Sequence, residues 1–141
     1  MSLIYILGTD KKIEKNSSNL MLEEVDISCY KKLENNHQFL TEKYYYLLNT
    51  PSVIGYDIRN IEDFDIDINK KYFQNFLKDI KKIFYMGSKQ ISLYQFVERN
   101  DLNIQENILE ETQDLSLNPN DYKEDFLSLN FNTKYRFIHN F

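Results

Sequence analysis

The sequence predicts an α+β fold: a single small domain in which a central amphipathic helix packs on a short sheet, with further short helices in the C-terminal third. Helix-like and strand-like segments alternate irregularly along the chain, which disfavours a regular βαβ arrangement. The length of 141 residues suits one domain spanning 1–141. With 15 Ile, 11 Tyr and 10 Phe, the chain also has enough large side chains for a core.

The central helix is predicted over about residues 69–86. Lys81 and Lys82 suit its last turns, where they oppose the negative end of the helix dipole, and Gly87 suits its C-terminal stop. A buried stripe with helical spacing runs through this segment. Its members are Phe73, Phe76, Leu77, Ile80, Ile83 and Phe84.

Strands are predicted at both ends of the chain. The apolar run from Met1 is expected to form a first strand closed by Gly8, and residues 133–138 a terminal strand. Residues 52–58 are predicted to be a strand as well, and residues 90–97 either a strand or a short helix.

Additional helices are predicted over residues 37–48, 104–111 and 121–129, and residues 20–33 fit helix and strand equally well. The three consecutive tyrosines at 44–46 cannot all point inward from a helix. A turn is expected within residues 115–120.

The negative charge is confined to one part of the chain. Residues 1–90 hold 13 basic and 13 acidic side chains, whereas residues 91–141 hold 4 basic and 9 acidic ones and supply the whole net charge of −5. An acidic region repels phosphate backbones, which argues against direct nucleic-acid binding. The same region would attract a basic partner.

No motif in the sequence predicts a catalytic residue, a metal site or a cofactor. The three glycines are isolated, so no phosphate-binding loop can be fitted, and His37 and His139 lack metal-ligand spacing. Residues 63–69 resemble the opening of a calcium loop, but Ile68 and Gln74 stand where glycine and glutamate are required.

Two acidic zones remain as candidate binding surfaces, at residues 63–69 and 98–125. Such zones are most often solvated faces, and the functional alternative is an electrostatic docking site for a basic partner. The candidate partner-binding residues are Asp63, Asp65, Asp67, Asp101, Glu106, Glu110, Glu111, Asp114, Asp121 and Tyr122.

A small, acidic chain without catalytic motifs resembles the immunity proteins of bacterial contact-dependent or polymorphic toxin systems. The resemblance is one of overall character and transfers no residue roles. It implies a non-enzymatic, cytoplasmic protein that neutralises a basic toxin domain, such as a nuclease. The single cysteine and the absence of a signal-like or membrane-spanning start favour the cytoplasm as well.

Three alternatives stay open from the sequence. One is a structural or regulatory subunit whose acidic face serves only solubility. A phage-encoded inhibitor of a host defence protein would share the same acidic character. A small metal-independent hydrolase or nuclease would use His37 and His139 with carboxylates, provided that the fold brings them together.

Overall fold

A computed structural model describes residues 2–14, 22–26, 36, 38–48, 66–98, 109–118 and 133–139. These residues form six strands and one helix. In chain order they are β1 (Ser2–Thr9), β2 (Leu22–Val25), β3 (Tyr44–Leu48), α1 (Ile66–Tyr85), β4 (Ile91–Glu98), β5 (Glu111–Ser116) and β6 (Thr133–Ile138).

The strands form one mixed sheet in the order β2-β3-β1-β4-β6-β5. Every neighbouring pair is antiparallel except β5 and β6, which are parallel. Gly8 of β1 lies opposite Tyr45 of β3 and Ser92 of β4, and Tyr94 lies opposite Lys134 of β6. These registers bring residues from four strands together at the middle of the sheet.

One face of the sheet, called here the helix face, is covered by α1. Every second residue of the central strands is buried against the helix, as the period-2 geometry of a strand requires. The buried strand residues are Tyr5, Leu7, Tyr46, Leu48, Ile91, Leu93, Tyr135 and Phe137. The helix contributes Phe76, Leu77, Ile80, Ile83 and Phe84 to the same cluster.

The chain leaves α1 through a glycine turn. Gly87 has a φ of 113°, a conformation that side chains of other residues strongly disfavour, and its amide donates to the Phe84 carbonyl. The Asp10 carboxylate then accepts the backbone N–H groups of Lys89 and Gln90 at 3.0–3.1 Å. The start of β4 is therefore fastened to the end of β1.

The opposite side of the sheet is called here the second face. Ile6, Tyr45 and Tyr94 are buried on it with Leu109, and Phe39 packs against them. The Asn36 side chain accepts the Leu109 amide at 2.8 Å, which joins two segments that cover this face.

The prediction of a short sheet with several additional helices is wrong. The sheet has six strands, and α1 is the one helix in the described part of the chain. Residues 44–48, predicted as part of a helix over 37–48, form β3 because their side chains are buried on both faces of the sheet.

Among the described C-terminal residues, a strand begins where a helix was predicted. Residue 111, the end of the predicted helix 104–111, begins β5, which ends at Ser116, before the turn predicted at 118–120. Residues 109–118 and 133–139 contain no helix. The predicted elements at 52–58 and 121–129 lie outside the described residues.

Several predicted elements are confirmed. The first strand, the terminal strand over 133–138 and the strand alternative for residues 90–97 are present. The long helix is present and begins at Ile66, so residues 66–69 are helical rather than extended. None of the described helical residues forms a segment of the length and apolarity needed to cross a membrane.

Candidate functional site

The second face contains a buried carboxylate, Glu42, which lies two residues before β3. Its side chain lies flat against Gly8 of β1: a Cβ atom added to that glycine would be 3.0 Å from Oε2 of Glu42. Glycine at this point lets the carboxylate approach the backbone of β1 closely, and a side chain there would require Glu42 to shift by a few tenths of an ångström.

Four side-chain donors surround the Glu42 carboxylate. Oε1 accepts hydrogen bonds from Lys134 Nζ at 2.9 Å and from Gln90 Nε2 at 3.3 Å. Oε2 lies within hydrogen-bonding distance of the Tyr94 hydroxyl and of the Tyr45 hydroxyl, the latter at 3.4 Å. The four acceptor positions of the carboxylate are thereby occupied.

The partner ammonium of Lys134 is equally well satisfied. Its side chain is 5% exposed, and that of Glu42 is fully buried. Besides Glu42, Lys134 Nζ donates to the Phe39 carbonyl at 2.7 Å and to Thr41 Oγ1 at 2.9 Å, and it lies 5.5 Å from the centre of the Tyr94 ring. Three N–H groups therefore have three acceptors.

The protonation states of these groups follow from the same contacts. Burial opposes the ionised form of Glu42, but the hydrogen bonds from Tyr94 and Lys134 and the Lys134 charge outweigh burial and lower the pKa of Glu42 below its ordinary 4.5. Burial, reinforced by the Glu42 charge, raises the pKa of both the Tyr94 and the Tyr45 hydroxyl. Glu42 is therefore ionised and both tyrosines are neutral at neutral pH.

This saturated arrangement favours a structural role. A general base needs a free lone pair and access to substrate, and Glu42 offers neither. The contacts with the Phe39 carbonyl and Thr41 instead hold the segment before β3 against the second face. Within the described residues, no group of three or more His, Cys, Asp or Glu side chains could hold a metal ion.

Sequence reasoning missed the Glu42–Lys134 pair. The two residues are far apart in the chain, and each resembles an ordinary surface charge. Lys134 is buried together with its neighbours Thr133 and Tyr135. This burial becomes visible only once the sheet is known, so the local sequence gives no signal for the pair.

The structure brings three of the predicted partner-binding residues together. Glu110, Glu111 and Asp114, called here the acidic edge, are exposed on or beside β5, which ends the described sheet. Glu111 Oε1 accepts from Gln113 Nε2 at 3.1 Å, and Asp114 pairs with Arg136 at 2.8 Å.

Of the remaining predicted residues, only Asp67 lies in the described part of the chain. Asp67 lies in the first turn of α1, a different element from β5. The others lie outside the described residues: Asp63, Asp65, Asp101, Glu106, Asp121 and Tyr122.

The opposite end of the sheet provides a natural comparison. β2, the other terminal strand of the described sheet, exposes Glu23 and Glu24, and Glu24 lies 4.0 Å from Lys12. Both ends of the sheet therefore carry acid, but β5 belongs to the part of the chain that supplies the net charge.

His139, one of the two histidines of the hydrolase alternative, lies among aromatic rings. It stacks on Phe84 at 5.6 Å and meets Tyr85 edge-on at 5.4 Å. Burial, together with the charge of Lys81, lowers the pKa of His139, which keeps the ring neutral at pH 7. His37 lies outside the described residues.

No family model, no curated protein and no solved structure matches this chain.

Proposed function

We propose that this chain is a non-enzymatic, cytoplasmic binding protein of the immunity type, which neutralises a basic protein partner through its acidic edge. The observation that carries the proposal is the position of β5. It ends the described sheet, it pairs with β6 on one side, and it exposes Glu110 and Glu111. A terminal strand presents unpaired backbone groups to which an extended segment of a partner can add.

The distribution of positive charge strengthens the negative potential of this region. Of the four basic residues in 91–141, Lys134 is buried against Glu42 and Arg136 pairs with Asp114. The charge of Lys134 is thus compensated by Glu42, which belongs to residues 1–90, where basic and acidic side chains are equal in number. Glu110 and Glu111 are exposed to solvent. A basic partner would be steered towards β5 and associate faster than a neutral one.

The closed second face supports a binding role over a catalytic one. Its buried charges are saturated by protein groups, and their contacts serve to hold residues 39–42 in place. The exposed acid of β5, by contrast, is available to another molecule.

The test uses a matched pair of charge reversals. Glu110→Lys combined with Glu111→Lys reverses the acidic edge, and Glu23→Lys combined with Glu24→Lys reverses β2 at the other end. Each Glu→Lys substitution raises the net charge by two units, so each double variant changes from −5 to −1. The binding probes are the basic protein domains encoded by the reading frames next to this gene, and association and dissociation rates are measured at low and high salt.

We expect the wild type to bind one of these domains and to protect cells that express it. The Glu110/Glu111 reversal should slow association at least about tenfold at low salt, since rim charges act mainly on the association rate. The Glu23/Glu24 reversal should leave the rate within about twofold. If only the Glu23/Glu24 reversal abolished binding, the interface would lie at β2 rather than β5. If the wild type bound none of the neighbouring gene products, the immunity role would be refuted.

A further inference from the structure

A cavity of about 710 Å³ opens where α1 ends, β4 begins and β6 ends. This volume is within the range of roughly 300–1,000 Å³ that small-molecule sites occupy. The cavity is lined by Phe84, Gly87, Ser88, Lys89, Gln90, Arg136, Phe137, Ile138 and His139.

The lining combines an apolar wall with cationic groups. Phe84, Phe137 and Ile138 supply hydrocarbon surface, and Lys89 and Arg136 supply positive charge. Such a combination suits a ligand with an apolar body and a charged end, because burial of the body drives binding and the charge fixes its orientation.

More positive charge lies just outside the lining. Lys11 Nζ is 3.1 Å from the point where a Gly87 Cβ would stand, so this ammonium reaches the rim of the cavity. The protein as a whole has a net charge of −5, so a group of basic side chains at this cavity contrasts with the negative charge of the whole chain.

Among the described residues, two carboxylates lie next to the cavity and offset part of that positive charge. Asp10 directs its oxygens at the backbone N–H groups of Lys89 and Gln90, which lowers its pKa despite partial burial and keeps it ionised. Asp114 holds Arg136 at 2.8 Å and competes with any other anion for that guanidinium.

We propose that this cavity binds a small organic anion, whose apolar body lies against Phe84, Phe137 and Ile138 and whose negative group lies at Lys89 and Arg136. This binding activity is separate from the docking of a basic protein on β5. Either site can be lost without the other.

Three probes separate the parts of the proposed ligand. AMP joins a phosphate dianion to a flat ring system, adenosine retains the rings without the phosphate, and inorganic phosphate has the charge alone. Each is titrated into the full chain while backbone amide shifts are followed by NMR. We expect AMP to shift residues 87–90 and 136–139 and to bind at least about tenfold more tightly than either fragment, which corresponds to about 1.4 kcal/mol.

Charge variants test the role of the individual groups. Lys89→Glu should weaken AMP binding at least about tenfold, because it replaces an attraction with a repulsion near the phosphate. Asp114→Asn should strengthen AMP binding, because it releases Arg136. Lys12→Glu makes the same charge change as Lys89→Glu at a lysine that pairs with Glu24 of β2 and does not line the cavity, and it should leave affinity within about twofold.

Each remaining outcome contradicts the proposal. If adenosine bound as tightly as AMP, the negative group would not contribute to binding. If inorganic phosphate bound as tightly as AMP, the apolar body would not contribute. Equal losses in Lys89→Glu and Lys12→Glu would indicate a response to net charge rather than a site. Amide shifts confined to residues outside the cavity would place the ligand elsewhere. Thermal unfolding of each variant shows whether its fold is retained.

Discussion

On the helix face of the sheet, buried side chains are aliphatic or aromatic and α1 covers them, whereas on the second face a carboxylate and an ammonium are buried among tyrosines. Apolar contacts are non-directional and tolerate small displacements. The Glu42–Lys134 pair requires each donor to meet its acceptor, and a missing partner leaves a buried charge uncompensated. The two faces should therefore respond differently to substitution.

The largest expected effect is on the second face. Lys134→Met removes the ammonium and leaves the Glu42 carboxylate buried with its tyrosine and Gln90 donors alone. Loss of one member of a buried ion pair costs about 3–5 kcal/mol of unfolding free energy. Urea unfolding at pH 7 measures the change, and Lys43→Met, at an exposed lysine before β3, serves as the control with an expected change within about 0.5 kcal/mol. Equal stability of the two variants would show that the pair contributes little.

A smaller effect is expected from Gly8→Ala, which adds one methyl group under the Glu42 carboxylate. The new Cβ would lie 3.0–3.1 Å from three atoms of Glu42, so the side chain must move away from its donors. We expect a loss of about 1–3 kcal/mol, typical of an overpacked interior, measured by urea unfolding. The same substitution combined with Glu42→Gly should cost less than the sum of the two single changes, and strict additivity would argue against this contact.

The third effect concerns pH and separates the two faces directly. Because the pKa of Glu42 is lower in the folded protein than its ordinary 4.5, the ionised carboxylate stabilises the fold above pH 4.5, and this contribution is lost as pH falls through the folded pKa. Glu42→Gln should flatten the decline of unfolding free energy below pH 4.5. Ile80→Ala, which opens a gap on the helix face, should lower stability by a similar amount at every pH. If the unfolding free energies of wild type and Glu42→Gln fell in parallel below pH 4.5, the lowered pKa of Glu42 would not account for the loss of stability in acid.

The comparison between faces also explains what the sequence could predict. The stripe from Phe76 to Phe84 has one apolar side and one polar side, so its period of 3.6 residues is visible, and α1 was predicted correctly. β3 has no such alternation, because Tyr44 and Tyr46 meet the helix-face cluster while Tyr45 packs on the second face. A strand that is buried on both faces shows no period of two and was predicted as helix.

The acidic edge was predictable in composition but not in structure. Glu110, Glu111 and Asp114 were identified as candidates from charge alone, yet β5 was not expected, because a terminal strand whose side chains are exposed or only half-buried lacks an apolar pattern. Glu42, Lys134 and Gly8 could not be found from sequence. Their association depends on registers between β1, β3, β4 and β6, which join residues distant in the chain.

The most direct test of the difference between the faces is the unfolding free energy of the double variant Glu42→Leu with Lys134→Met, measured beside both single variants at pH 7. If the pair is a buried ion pair held by mutual compensation, the double variant should be more stable than Lys134→Met alone, since no uncompensated charge remains. If the double variant instead loses the sum of the two single losses, Glu42 and Lys134 act independently, and the second face is not held together by this pair.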